Sequence, residues 1–229
     1  MKKSTLIRLA FSCFISASLL SSCKEDKDIV EAPPVPDQTS TQELDNIASA
    51  TGAGWKFLNK SETQTANTKG FVNGVGTAYS GTGFITAGWQ ANDGAGVISV
   101  WAISPKVILQ NGDKITFYTR SVNDYTDPAN VYPDRLQLRL ALADKDSVGP
   151  GTGVGLFKIN LVDVNASYAA TLPVAYPSAW TKFEATVSGL SKPTEGHYAL
   201  RYFVEDGGSA GTNSNGIFLD KVQYTSVNH

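Results

Sequence analysis

Residues 197–225 read HYALRYFVEDGGSAGTNSNGIFLDKVQYT. Tyr198, Leu200, Tyr202 and Val204 alternate with Ala199, Arg201, Phe203 and Glu205. A period of two places one set on a packed face and the other on a freer one, which is the mark of a β-strand. Ile217 and Leu219, then Val222 and Tyr224, continue the apolar beat further on. Between the two runs lies GGSAGTNSNG, rich in residues that tolerate positive φ and form turns. The stretch reads as a closing pair of strands around a Gly-rich turn, joined by strands from the rest of the chain.

Those other strands are legible upstream. Residues 134–142, DRLQLRLAL, alternate most regularly: Leu136, Leu138, Leu140 and Leu142 share one parity, and Arg135, Gln137, Arg139 and Ala141 the other. Arginine and glutamine on the second parity predict a wet or ligand-facing surface. In residues 114–121, Ile115 and Phe117 oppose Thr116, Tyr118 and Arg120. Residues 97–103, VISVWAI, are apolar on both parities, which suits a central strand covered on both faces. Further strands are expected at 54–59, 84–89, 155–164 and 182–187, with Phe183, Ala185 and Val187 sharing a face in the last. Residues 60–81 and 122–133 read as polar loops. Nine or ten strands with regular turn signals and no crossover helices predict an all-β fold, an antiparallel β-sandwich with jelly-roll topology. It would be a single domain over residues 47–229.

The N-terminus has a different character. Residues 1–22 carry a basic start, an apolar run and small residues before Cys23, the pattern of a secretory signal. Leu20-Ser21-Ser22-Cys23 resembles the bacterial lipobox, in which the cysteine becomes the lipidated first residue. Acyl chains contribute about 0.8 kcal/mol per buried CH₂, enough to hold a soluble domain to a membrane. Position 24 is Lys, not Asp, and Lys24-Glu25-Asp26-Lys27-Asp28 resembles the surface-export signal of Bacteroidota lipoproteins; a solvated linker is the other reading. Residues 23–46, with three closely spaced prolines, are expected to be a tether. The expected location is the outer membrane, lipid-anchored and exposed at the cell surface.

Composition narrows the function. The first 22 residues hold Lys2, Lys3 and Arg8 and no acid, so the remainder has 16 basic groups against 21 acidic ones. That excess of acid argues against a nucleic-acid partner. Cys13 and Cys23 are the only cysteines, so the domain carries neither a disulfide nor a thiolate metal site.

Several segments then line up in order: ISVWAISP, NGDKITFYTRS, YPDRLQLRL, WTKFEATVSGL and GHYALRYFVEDGG followed by NSNGIFLDKVQY. Over residues 55–226 the chain resembles the choice-of-anchor J domain, a surface β-sandwich found behind varied anchoring devices and similar to cleaved-adhesin and MAM-like jelly rolls. The resemblance implies fold and surface location and brings no established ligand.

Candidate chemistry is sparse. The histidines are His197 and His229, and no G-x-S-x-G elbow accompanies them, so a Ser-His-Asp triad has little support. The glycines of DKDSVGPGTGVG precede neither a helix nor a Lys-Ser/Thr pair, which argues against a phosphate cradle. A glycosidase would have to assemble carboxylates from Asp134, Glu184, Glu205 and Asp220. A structural calcium has Asp220 as its candidate ligand, with Asp93, Asp144 and Asp146 as loop carboxylates, against the reading that these acids simply face water. Trp55, Trp89 and Trp101 fall in apolar strands and are expected in the core. Trp180 either covers the sandwich edge or stacks on a sugar.

Tyr118, Arg120, Arg135, Gln137, Arg139, Arg201 and Glu205 would form one patch with Trp180 if their strands were neighbours. Guanidinium, amide and phenol groups together suit saccharide recognition. The alternative is that the arginines pair with Asp134, Glu205 or Asp220. The sequence points to a surface-anchored, non-enzymatic binding or adhesion module with a glycan as the leading ligand. A structural or assembly lipoprotein contacting surface proteins comes second, and a carbohydrate-active enzyme third. The anchor is tested directly: Cys23→Ser should move the protein from the membrane pellet to the soluble fraction, and a variant that stays in the pellet rules out lipidation at that residue.

Overall fold

The computed structural model describes residues 34–227. Residues 1–33, with the expected signal segment and Cys23, lie outside the described residues. One sheet contains β1 (Ser40–Gln42), β3 (Val72–Asn73), β4 (Ile85–Gly88), β7 (Lys114–Ser121), β10 (Thr181–Thr186) and β12 (Gly216–Thr225). The other contains β2 (Lys56–Asn59), β5 (Gly96–Ile103), β6 (Val107–Leu109), β8 (Leu136–Ala141), β9 (Ile159–Val164) and β11 (Thr194–Gly207). The first runs β10-β7-β12-β4-β3, with β1 also on β12. The second runs β2-β5-β11-β8-β9, with β6 also on β11. Every pairing is antiparallel, and the two sheets make a jelly-roll β-sandwich.

The alternation that identified the last two strands also fixes their inner faces. Tyr198, Leu200, Tyr202 and Val204 from β11 meet Ile217, Leu219, Val222 and Tyr224 from β12 in the core, all of them buried. The change of parity between Leu219 and Val222 is a β-bulge: the register shifts between Asp220 and Gln223, and Lys221 adopts φ 40°. An extra residue at a bulge returns the strand to its inward beat. The two strands are not a hairpin, however. β11 is central in one sheet and β12 in the other, so residues 208–215 cross between layers.

Three expectations about burial need correction. The packed domain begins before residue 47. β1 pairs with β12, Leu44 is fully buried, and Asn46 caps the short helix α1 (Ile47–Gly52) by accepting from Ser49 N at 2.8 Å. A polar edge strand carries no apolar alternation, so the sequence hid it. Second, Leu142 is exposed because β8 ends at Ala141. Third, the polar parity of β8 and β11 is dry: Gln137, Arg139 and Arg201 are all buried. Residues 143–158 fold back over this face, and Phe157, Val148 and Val154 pack against Trp101, Ile103 and Ala199. β5 is therefore covered on both faces, as its double-parity apolar run predicts.

Asp134, just before β8, sits between the layers with no exposure. Its carboxylate accepts from Tyr202 Oη on β11 at 2.6 Å, from Ser121 Oγ at the end of β7 at 3.1 Å, and from Gly216 N at the start of β12 at 2.7 Å. Burial pushes its pKa from 3.8 up to about 7, against the pull of the three donors. Because the folded value is raised, the folded state holds this proton more tightly. Between about pH 4 and 7 the unfolded chain ionises first, and stability falls as pH rises. Asp134→Asn keeps the doubly accepting oxygen and can donate to Ser121. Urea melts should show the wild type losing stability relative to this variant by about 1.4 kcal/mol per pH unit across that window. Parallel pH profiles would show that Asp134 titrates normally.

Candidate functional site

The structure divides the sequence-based patch between opposite outer faces of the sandwich. Tyr118, Arg120 and Trp180 belong to the β7–β10 side of one sheet, whereas Arg135, Gln137, Arg139, Arg201 and Glu205 belong to the other. The alternation along each strand holds, but the condition for a single patch, that these strands be neighbours, does not.

On the second sheet the arginines are structural. Arg201 donates to Ser99 Oγ at 3.0 Å, to Gly151 O at 2.6 Å and to Gly153 O at 3.3 Å, and lies over the rings of Phe203 and Trp101. Arg139 donates to Phe157 O at 2.7 Å and to Gln137 Oε1 at 3.1 Å. The two guanidiniums clamp residues 151–158 by their carbonyls, not through the carboxylates expected from the sequence. Burial, with Arg139 and Arg135 nearby, pulls the Arg201 pKa down to about 9. Arg135 makes a two-point pair with Asp163, both contacts at 2.8 Å, and reaches Glu205 at 3.3 Å.

The other candidate groups are also accounted for. Asp220 is buried; its carboxylate accepts from Tyr79 N at 2.8 Å, Ser80 N at 3.0 Å and Lys221 N at 2.7 Å. With N–H donors on both oxygens it anchors the loop after β3, where a calcium ion would need those lone pairs. Asp144 pairs with Lys106, and Asp146 with Lys56. Among the described residues no three His, Cys, Asp or Glu side chains converge on a point where a metal could sit. The ring nitrogens of His197 face the carbonyls of Ser104 at 2.9 Å and Asp144 at 3.4 Å. Asp134, Glu184, Glu205 and Asp220 share no bonding partner and do not assemble into one site.

On the first sheet, aromatic rings cover the outer face. Tyr118 stacks on Tyr79 at 3.7 Å between centroids, and Trp180 packs edge-on against Phe84 at 5.6 Å. Trp180 Nε1 donates to Thr77 O at 3.3 Å. The half-buried indole covers the sheet and pins the loop above it.

An open site lies at the end of this sheet, around a tryptophan the sequence had assigned to the core. Trp55 and Trp101 are buried, but Trp89 is 45% exposed. β4 stops at Gly88, and the chain turns into a 3₁₀ helix, Trp89–Ala91. The change of period gives the inward position to Ala91, which is fully buried, and turns the indole out. The signal was present in GWQANDG, where an aromatic residue stands at the point where strand gives way to polar turn.

Beside Trp89, Gly88 pairs in register with Gly216. A Cβ at Gly88 would come within 2.9 Å of Asn215 O, and one at Gly216, where φ is 137°, within 3.0 Å of Ala87 O. The bare backbone of the pair floors a trough of about 310 Å³ walled by Trp89, Gln90, Lys69, Val122 and Asn215. Trp89 also borders a hollow of about 430 Å³ with Tyr132 and residues 208–215. The wall at 214–215 is tied to the chain before β8: Asn215 Oδ1 accepts from Tyr132 N at 2.7 Å, and Ser214 N donates to Pro133 O at 2.9 Å. An exposed indole, the amides of Gln90 and Asn215 and the ammonium group of Lys69 line one concave surface of the size small ligands occupy.

No family model and no curated protein matches the sequence. Among solved structures, the K1 cleaved adhesin domain of Lys-gingipain from Porphyromonas gingivalis W83 is similar, with a TM-score of 0.53 at 16% identity over 83% of this chain and 99% of that one. The likeness shows a shared fold. The K3 cleaved adhesin domain of Lys-gingipain gives 0.48 at 15% identity over 82% of this chain and all of that one. A family 11 carbohydrate-binding module from Clostridium thermocellum, solved with a mixed-linked tetrasaccharide, gives 0.43 at 10% over 82% and 98%.

The clamp on the second sheet is testable. Arg201→Ala leaves buried acceptors without their charged donor and should lower stability by about 2–3 kcal/mol in urea melts, with faster hydrogen exchange in residues 149–158. An unchanged melt and unchanged exchange would show that the arginine is dispensable to the cover.

Proposed function

We propose that the chain is a non-enzymatic, surface-anchored binding module of the adhesin type, taking a glycan in the trough beside Trp89. One observation carries the reading: an exposed indole stands over a floor of two glycines in register, flanked by the amides of Gln90 and Asn215. The negative face of an aromatic ring attracts the polarised C–H groups on one side of a pyranose. The Asn215 amide, held by Tyr132 N and Asn130 O, and the exposed Gln90 amide can then exchange hydrogen bonds with the hydroxyls around the ring rim. The glycine floor lets a flat sugar approach the backbone, which any side chain would prevent.

The fold shared with a domain named as a cleaved adhesin supports an adhesive role. The lipobox-like Leu20-Ser21-Ser22-Cys23 supports attachment to the outer membrane, and the ordered motifs over residues 55–226 support membership of the choice-of-anchor J group. A domain tethered in this way could work at the cell surface without any catalytic step.

A glycan array probed with the full-length chain tests the reading. Trp89→Ala should weaken binding to the retained glycans by about 2 kcal/mol, some thirtyfold in Kd, while the thermal melt stays close to that of the wild type. Undiminished binding by this variant would remove the trough from consideration.

A further inference from the structure

Four arginines fall among the described residues, and three are engaged by protein. Arg135 is paired with Asp163 and Glu205, and Arg139 and Arg201 are clamped to carbonyls. Arg120 differs. Its guanidinium lies 4.3 Å over the Phe218 ring and 5.5 Å from the Trp180 ring. Its Nη1 donates to Ser121 O at 3.2 Å. Nε and Nη2 have no hydrogen-bond partner among the described residues, and no carboxylate there comes within ion-pair distance. The free pair is the side-on fork, two parallel N–H groups spaced to match the two oxygens of a carboxylate. The stacked rings hold that fork in place, so little conformational freedom is lost when it binds.

Arg120 borders an open hollow of about 550 Å³ with Asn123, Asp124 and Asp127. Val122 and Asn215 line both this hollow and the glycine-floored trough, so the two adjoin. The wall bearing the acids is partly committed. Asp124 Oδ1 accepts from Thr126 N and Oγ1, and Asp127 accepts from Ala129 N and Asn130 Nδ2. Asp124 Oδ2 has no partner among the described residues and can accept from a hydroxyl. The hollow is thus of mixed sign, with one oriented cation on the sheet side and carboxylates on the loop side.

We propose that this hollow is an acidic-sugar subsite, in which Arg120 binds the carboxylate of a uronic-acid-type residue through Nε and Nη2 while Asp124 and the neighbouring amides take its hydroxyls. The inference rests on the glycan reading of the adjoining trough and specifies the ligand class. One cation faced by two acids suits a sugar bearing a single carboxylate and several hydroxyls. It disfavours a densely sulfated polymer, whose remaining charges would meet Asp124 and Asp127.

Affinity electrophoresis of the full-length chain in detergent, with Arg120→Gln, Arg120→Lys and Trp89→Ala, tests this. The probes are alginate, polygalacturonate and hyaluronan, each beside its carboxyl-reduced form, and dextran sulfate. The wild type should bind at least one carboxylated polymer tenfold or more tighter than its reduced form and tighter than dextran sulfate. Arg120→Gln should equalise the carboxylated and reduced forms. Arg120→Lys, which keeps the charge and loses the fork, should remain several-fold weaker than the wild type. Equal binding of both forms by the wild type, a preference that survives Arg120→Gln, or tightest binding to dextran sulfate overturns the subsite. Equal binding of both forms by the wild type, with that binding lost in Trp89→Ala, would leave the trough standing without the subsite. A wild type that retains no probe would overturn both.

Discussion

The sandwich depends on one buried carboxylate that holds both sheets. Asp134 takes donors from β7, β11 and the first residue of β12, and it lies two residues before the start of β8. Its partners therefore span both layers at the end where the loops of the candidate site emerge. Burying an unpaired carboxylate would be prohibitive; three donors and a raised pKa make it tolerable. The contact to Gly216 N bears most directly on the proposed site, because Gly216 is half of the glycine floor. Residues 122–133 lead into Asp134, and residues 208–215 lead into Gly216. Both walls of the site thus hang from the same buried group.

The two outer faces of the sandwich follow opposite logic. On the second sheet, guanidiniums that look like a binding surface in the sequence are covered by residues 143–158 and hold that cover by its carbonyls. On the first sheet, aromatic rings close most of the face but leave the fork of Arg120 and the indole of Trp89 at its open end. Polar side chains held by packing at the rim of a scaffold would give the proposed site much of its geometry before a ligand arrives.

Much of this was legible from period and turn chemistry. The inward parities of β7, β8, β11 and β12 were all readable, and even the bulge showed itself as the change from Leu219 to Val222. Three things were not readable, each for a physical reason. Sheet membership is a long-range property, so β11 and β12 looked like partners although each is central to its own sheet. A polar parity signals a wet face only if nothing folds over it, and the cover at 143–158 is a loop that includes 155–158, which the sequence reads as the start of a strand beginning only at Ile159. Trp89 looked like a core residue because its strand ends one position earlier, and a single residue of strand length reverses which way a side chain points.

The central claim is that ligand meets the protein at the end of the sandwich marked by Trp89. The chain has four indole N–H groups, two of them on buried rings, so each acts as a separate reporter. A ¹H–¹⁵N spectrum of the ¹⁵N-labelled chain, titrated with oligosaccharides cut from alginate, polygalacturonate and hyaluronan, reads them together. The account predicts that the Trp89 indole signal and the side-chain amides of Gln90 and Asn215 shift in concert while Trp55 and Trp101 stay fixed. Shifts confined to the second sheet, or a Trp89 signal that does not move while others do, would contradict it.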